Sequence, residues 1–245
     1  MTVAPLPQHP RDLPPIARAA FLLDIDGTLL DFAPAPDLVV IPPDLPPHLR
    51  ALGVRLGGAL GLISGRTVGE IDALLPGLAH AVAGEHGAAL RPSPGAALVR
   101  AHLPDVPESW RDAASRLIAS HPGTLLERKP HGFVLHFRRA PEAGVALGAG
   151  LRAIAGAHPD FIIVPARMAW ELRPRGADKG TALGALMRLP PFAGRLPVFV
   201  GDDATDRDAI AAAEALGGVG FFVPDAFGSP QGVRDWLAHL ARDGW

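Results

Sequence analysis

The chain is expected to fold as an α/β protein, a doubly wound parallel sheet core interrupted by an inserted α+β cap domain. Three observations lead there. Short apolar runs end abruptly in polar or acidic residues: Phe21-Leu22-Leu23 before Asp24, Leu60 to Ile63 before Ser64, and Pro197 to Val200 before Gly201-Asp202. Strands buried on both faces read this way. Helical stretches separate these runs, which calls for parallel pairing through right-handed crossovers. From about residue 100 the texture changes to paired extended runs, the mark of hairpins.

In order, residues 1–17 carry several prolines and are expected to form an irregular arm. The strand at Phe21–Leu23 is followed by a proline-rich loop, 33–47, and a helix through Leu49, Leu52 and Leu56. A second strand covers 59–63. A helix over 67–75 is stopped by Pro76-Gly77, and 79–85 makes a third strand. A helix over 107–120 precedes two extended runs, 124–129 and 133–138, joined near His131-Gly132. A helix over 141–156 leads to a second hairpin, 161–164 with 168–173. The first pattern then resumes: helix 178–187, strand 196–200, a helix after Thr205, a strand over 220–223 and a helix over 233–240. The domains implied are 1–98 (first part of a Rossmann-like core, with the arm), 99–174 (cap) and 175–245 (second part of the core). Hinging linkers are expected near 92–101 and 174–176.

Composition removes several functions. The 245 residues contain no cysteine, which excludes disulfide scaffolds, thiolate metal sites and cysteine nucleophiles. With 23 basic and 25 acidic side chains and no basic run, nucleic acid is not the expected partner. No apolar run is long enough to span a bilayer, and the first twenty residues lack the apolar core of a signal peptide. A cytoplasmic monomer acting on a small molecule is expected. Only two of the basic residues are lysine, Lys129 and Lys179. Where arginine has replaced lysine almost everywhere, a surviving lysine is either chance or a place where a flat guanidinium cannot stand in for a compact ammonium.

The strongest motif is Asp24-Ile25-Asp26-Gly27-Thr28-Leu29. Two carboxylates at i and i+2 on an extended stretch point the same way, and Gly27 lets the chain turn beside them. Such like charges are costly unless a divalent cation or a shared proton relieves them. The hexapeptide resembles the nucleophile motif of the haloacid dehalogenase superfamily of phosphatases. That resemblance implies Asp24 as the nucleophile and Asp26 as general acid and base, with the Asp26 main-chain carbonyl a Mg²⁺ ligand. Ser64, in Ile63-Ser64-Gly65-Arg66, matches the superfamily's phosphate-binding Ser or Thr. Lys179, in Asp178-Lys179-Gly180, matches its phosphate-pairing lysine. In Gly201-Asp202-Asp203-Ala204-Thr205-Asp206, Asp202 is the implied direct Mg²⁺ ligand beside Asp24. Asp206 is placed behind it or on a bridging water, and Asp203 has no firm role. An oxygen-only donor set of this kind suits Mg²⁺.

Longer stretches are similar to trehalose-6-phosphate phosphatases: Ala83-Gly84-Glu85-His86-Gly87, Glu127-Arg128-Lys129, His136-Phe137-Arg138, Glu171-Leu172-Arg173-Pro174-Arg175-Gly176, and Gly194 to Asp206. This resemblance implies hydrolysis of trehalose 6-phosphate through an aspartyl-phosphate. Gly65, Arg66, Glu85, His86, Glu127, Lys129, His136, Arg138, Glu171 and Arg173 would be the substrate contacts. Phe137 stands where the family usually has tyrosine and, facing the other way from His136, is expected in the cap core. Arg207 replaces a frequent acid, and 222–234 is shorter than usual. Two alternatives stay open. One is a phosphatase of the same cap type acting on sucrose-phosphate or mannosyl-phosphoglycerate; the other is a non-catalytic protein that binds a sugar phosphate.

Overall fold

Five apolar residues, Ala19–Leu23, form β1, and all of them are buried. In the computed structural model this strand lies inside a seven-stranded sheet, with parallel neighbours on both sides: β2 (Leu60–Ile63) and β10 (Leu196–Gly201). Outward from β2 come β3 (Ala81–Gly84), β4 (Ala89–Arg91) and β5 (Val99–Arg100), and β11 (Val219–Phe222) lies beyond β10. The pairings from β11 through β3 are parallel, and those of β3 with β4 and β4 with β5 antiparallel. The structure describes residues 13–33, 38–166 and 168–245. The first twelve residues of the expected arm and 34–37 of the proline-rich loop lie outside the described residues.

Helices cover both faces. On β11, Gly220 meets Ile210 of α6 (Arg207–Ala215), while the next residue, Phe221, meets Trp236 of α8 (Pro230–Asp243). Successive strand residues point to opposite faces, so α6 and α8 lie on opposite sides of the sheet. Phe21 stacks on the same Trp236, with ring centroids 5.7 Å apart. Helix α1 (Leu45–Arg55) packs against α8, and α5 (Lys179–Leu186) against α6. The helix α2 (Val68–Leu74) starts at a reciprocal cap, the Thr67 side chain accepting from the Glu70 N–H while the Glu70 carboxylate accepts from the Thr67 N–H.

Several element boundaries differ from those the residue pattern suggests. The proline-rich loop stops at Asp44, because Pro46 and Pro47 fit in the first turn of a helix, where no N–H is needed. Likewise α8 begins three residues early, with Ser229 accepting from the Gly232 N–H and Pro230 opening the helix. The segment expected as a plain linker, 92–101, contains β5, and β4 lies just before it; the Pro92-Ser93-Pro94-Gly95 connection between them hides both short strands. β11 ends at Phe222 because Pro224 starts a short helix, α7 (Val223–Ala226).

The chain divides into two compact units, Met1–Ala101 with Asp178–Trp245, and His102–Ala177. The second unit has its own antiparallel sheet in the order β6 (Leu125–Arg128), β7 (Phe133–His136), β9 (Ala169–Pro174), β8 (Phe161–Ala166). Its two helices are α3 (Glu108–Ala119) and α4 (Gly144–Ala155). One sheet face carries Phe133, Leu135, Leu172 and Phe161, packed with Ala114, Leu147 and Leu151 of the helices, and Phe137 joins this core. The other face carries a row read straight off the register: Glu127, Val134, Glu171 and Val164. β7 is shorter than expected. After Phe137 the chain turns, the Ala140 N–H bonding the Phe137 carbonyl at 3.0 Å, which leaves Arg138 exposed in the turn.

Phe133 is fully buried at the centre of the second unit's core. Phe133→Ala should therefore cost about 3–5 kcal/mol in urea unfolding. A loss below about 1 kcal/mol would mean that the sheet face assigned to the core is wrong.

Candidate active site

Three neighbouring strands deliver their carboxyl ends to one edge of the first unit, where open α/β sheets bind ligands. β1 runs into Asp24, β2 into Ser64 and β10 into Asp202. Asp24 is 3% exposed, and its N–H bonds the Val200 carbonyl of β10 at 3.0 Å. The chain then reverses tightly. The Ile25 carbonyl accepts from the N–H groups of Leu29 and Leu30, both at 2.9 Å, and the Gly27 N–H bonds the Leu30 carbonyl at 2.8 Å. Gly27 has φ +80°, and a Cβ there would stand 2.2 Å from Oδ2 of Asp202. Glycine is required twice over, by the backbone and by the carboxylate against it.

Lys179, the first residue of α5, reaches this edge with its side chain 4% exposed. Its Nζ donates to Asp24 Oδ1 and to Asp206 Oδ1, each at 2.7 Å. Asp206 is fully buried, and its Oδ2 accepts from the N–H groups of Asp202 and Asp203 at 3.0 Å each. A Cβ on Gly201 would come within 2.3 Å of the Asp206 carboxyl carbon, so this approach too depends on glycine. Asp203 is spent on the backbone, capping the next turn through Thr205 N–H (2.8 Å) and Oγ1 (2.6 Å).

The balance of charge here is negative. Burial first, and then the charge of Asp206, pushes the Asp24 carboxyl well above its ordinary range against the pull of Lys179. Burial also raises Asp206. Desolvation works against the Lys179 ammonium, but Asp206 and Asp24 outweigh it and hold the amine charged. Asp24, Asp202 and Asp206 each bring a carboxylate oxygen within 4.8 Å of one another. One ammonium does not neutralise this set. A hard divalent cation on Asp24 and Asp202 would complete it, and its all-oxygen donors fit Mg²⁺.

Ser64 is 1% exposed, and its Oγ accepts from the Arg66 N–H at 3.2 Å. The Arg66 guanidinium grips the Asp26 carboxylate through Nε and Nη2, both at 2.6 Å. Asp24 and Asp26, two residues apart, thus take different cations. Glu85 and His86 form a left-handed turn, each with φ 55°, a conformation that costs energy away from glycine. Backbone bonds hold it against the Ser64 segment: Glu85 N–H to the Arg66 carbonyl (2.8 Å) and His86 N–H to the Ser64 carbonyl (3.0 Å). The His86 ring fills the space where a Cβ on Gly65 would stand, 2.6 Å from Nε2. The Glu85 carboxylate is buried and accepts from Arg100 Nη1 at 3.1 Å.

In the second unit, the polar sheet face gathers Glu127, Lys129, His136, Glu171 and Arg173. Glu127 sits between two side chains, Lys129 paired with Oε1 and His136 Nε2 2.7 Å from Oε2. Glu171 and Arg173 are both buried, and Arg173 Nε and Nη1 have no hydrogen-bond partner among the described residues. Arg138 lies in the turn that follows β7.

A comparison with protein families now bears on the chain. The trehalose-phosphatase family model matches residues 22–224. The chain belongs to that family. A trehalose-6-phosphate phosphatase of Escherichia coli is 40% identical over 206 residues, covering 83% of this chain and 76% of the relative. A probable trehalose-phosphate phosphatase of Sinorhizobium fredii is 39% identical over 232 residues, covering 91% and 87%. Among solved structures, the C-terminal domain of C. albicans trehalose-6-phosphate phosphatase matches with a TM-score of 0.76 at 19% identity, over 92% of this chain and 93% of that one. At that identity the likeness speaks for the fold. The family is one of phosphomonoester hydrolases, which sets the class of the enzyme.

Sequence reasoning passed over two residues near the first cluster. Thr28 Oγ1 donates to Asp24 Oδ2 at 3.4 Å, and buried Arg234 of α8 donates to the Leu29 carbonyl and to Asp31, both at 3.0 Å. Thr28 stood inside the quoted motif. Arg234, more than two hundred residues from Leu29 and Asp31, left no local signal of those contacts.

The Glu127 carboxyl offers a measurable consequence. Burial alone would raise it, but the hydrogen bond from His136 and the Lys129 charge win and hold it at about 2, against an ordinary 4.5. A carboxyl depressed on folding adds stability above its unfolded value, which is lost as pH falls from 4.5 toward about 2. Between about pH 6 and pH 3, wild type should lose more urea stability than Glu127→Gln. Equal losses in the two proteins would remove this carboxylate from the acid response.

Proposed function

We propose that this chain hydrolyses trehalose 6-phosphate to trehalose and inorganic phosphate, with Mg²⁺, through an aspartyl-phosphate on Asp24. The observation that carries the reading is the buried Asp24, fixed through Oδ1 by Lys179 and placed at a strand end beside Ser64 and Asp202. The substrate follows from family membership and from the name of the relative that is 40% identical.

The chemistry divides among the chain's own groups. Asp24 attacks phosphorus, and the bond from phosphorus to the sugar oxygen breaks as the acyl-phosphate forms. Asp26, released from Arg66 and protonated from solvent, gives that proton to the departing sugar oxygen. It then takes a proton from the water that attacks the acyl-phosphate, which frees phosphate and restores the Asp24 carboxylate. Lys179 and Ser64 hold phosphate oxygens, and Arg66 is placed to do so once Asp26 is at work. Mg²⁺ would be held by Asp24, Asp202 and the Asp26 carbonyl, and when bound it supplies positive charge for the transferring group. Asp206 and Asp203 keep the Asp202 loop and the ammonium in place. Glu127, Lys129 and His136 read the sugar hydroxyls, with Glu171 and Arg173 beside them on the same sheet face.

Asp24→Asn should bind substrate yet release phosphate at less than about one-thousandth of the wild-type rate. Turnover near wild type would overturn the nucleophile. In a phosphate-release screen with Mg²⁺, trehalose 6-phosphate should be turned over well ahead of glucose 6-phosphate and sucrose 6-phosphate. Equal rates would defeat the substrate assignment and leave the reaction class standing.

The lysine at the core cluster is a separate test. A guanidinium is longer and flat, and it does not reproduce a single nitrogen that bonds two carboxylates at 2.7 Å each. Lys179→Arg should lower kcat by about a hundredfold or more despite the conserved charge. Full activity in that variant would mean that charge alone is needed there.

A further inference from the structure

The hairpin that presents Lys129 is tied by an arginine belonging to neither of its strands. Arg111 lies on α3, 8% exposed. Its Nη1 donates to the Gly132 carbonyl at 2.9 Å and its Nη2 to the Pro130 carbonyl at 3.0 Å. The carboxylate beside it, Glu108, is 3.6 Å from Nε and largely exposed. A guanidinium has therefore been taken out of water chiefly to hold two backbone oxygens of one four-residue turn. Charge-assisted bonds of this kind are stronger than neutral ones, and breaking them would strand buried polar groups.

That turn needs holding. Lys129-Pro130-His131-Gly132 joins β6 to β7 through two central residues, of which the first is proline. Proline fixes φ near −65°, which excludes the primed turns whose twist matches paired strands. The turn is instead fixed from outside. The Gly132 oxygen that accepts from Arg111 also accepts the Lys129 N–H, at 3.1 Å. Gly132 lies so close to β9 that a Cβ would stand 2.3 Å from the Leu172 carbonyl oxygen. His131 Nδ1 pairs with Asp105 at 2.9 Å. One carbonyl thus joins the buried guanidinium to the backbone of Lys129, whose ammonium pairs with Glu127.

We propose that Arg111 is a positioning residue for substrate discrimination. By fixing the Gly132 carbonyl it sets where Lys129 and Glu127 stand, and so how well a disaccharide phosphate is preferred over a phosphate ester without sugar. The inference rests on the reading of Glu127 and Lys129 as sugar contacts.

The test measures kcat and KM on trehalose 6-phosphate and on p-nitrophenyl phosphate, with Mg²⁺, for wild type, Arg111→Met, Arg111→Lys and Glu127→Ala. Methionine keeps the stem and removes the fork, while lysine can reach one carbonyl of the two. Arg111→Met should raise KM for trehalose 6-phosphate and lower the ratio of kcat/KM on the two substrates about tenfold, with Arg111→Lys between it and wild type. A lowered melting temperature with the ratio unchanged, or equal losses on both substrates, would overturn the proposal, since either describes a merely structural arginine. If Arg111→Met does not fold, Arg111→Lys decides alone: a lowered ratio supports the proposal and a wild-type ratio ends it. Glu127→Ala separates the two layers of inference. If its ratio falls while the Arg111 variants keep theirs, only the positioning role is lost. If its ratio does not fall, the sugar-reading assignment fails first.

Discussion

One buried ammonium makes the core site possible. Lys179 reaches the carboxyl edge of the sheet and divides its hydrogens between Asp24, at the end of β1, and Asp206, beyond β10. Without it, two nearly inaccessible carboxylates would face each other with no compensating charge, and burial would drive both toward protonation. With it, Asp24 has a fixed oxygen and Asp206 is free to brace the Asp202 loop through two backbone N–H groups. The remaining excess of negative charge is the property that makes the site receptive to a divalent cation. As a structural element the cluster is costly, since burial opposes each of its charges.

The second unit solves a different problem with similar materials. Its apolar sheet face is closed by α3 and α4, and the alternation of strand residues then forces Glu127, Val134, Glu171 and Val164 onto the other face. Polar side chains there are ordered by one another, with Glu127 held between Lys129 and His136. The two lysines of the chain fall one on each device. In both, the ammonium sits against carboxylate oxygens in a space suited to a point charge.

Much of this was legible in the residue pattern because it is local. Buried parallel strands read as apolar runs, the glycine of Asp24-x-Asp26-Gly27 announces a tight turn, and Pro76-Gly77 announces a helix end. The weaker readings share a physical reason. β4 and β5, of three and two residues, are too short to leave a periodic signal. Pro46 and Pro230 look like breaks, although proline is welcome in a first helical turn. Arg138 fits the alternation of β7 but lies in the turn that ends it.

By itself the sequence determined the α/β class, the alternation of buried strands and helices, the hairpin-rich insert, and the residue types brought to the chemistry. These follow from periodicities of two and 3.6 residues and from short motifs, which act over a few positions. Tertiary structure alone decided the partners. Lys179 pairs with Asp24 from 155 positions away and Arg66 with Asp26 from 40. Glu85 turns to Arg100, Arg234 reaches back to Leu29, and Arg111 crosses from a helix to a hairpin turn. The reason is geometric: a charge in a closely packed interior is satisfied by whatever group the fold brings within about 3 Å, and distance along the chain does not enter that choice.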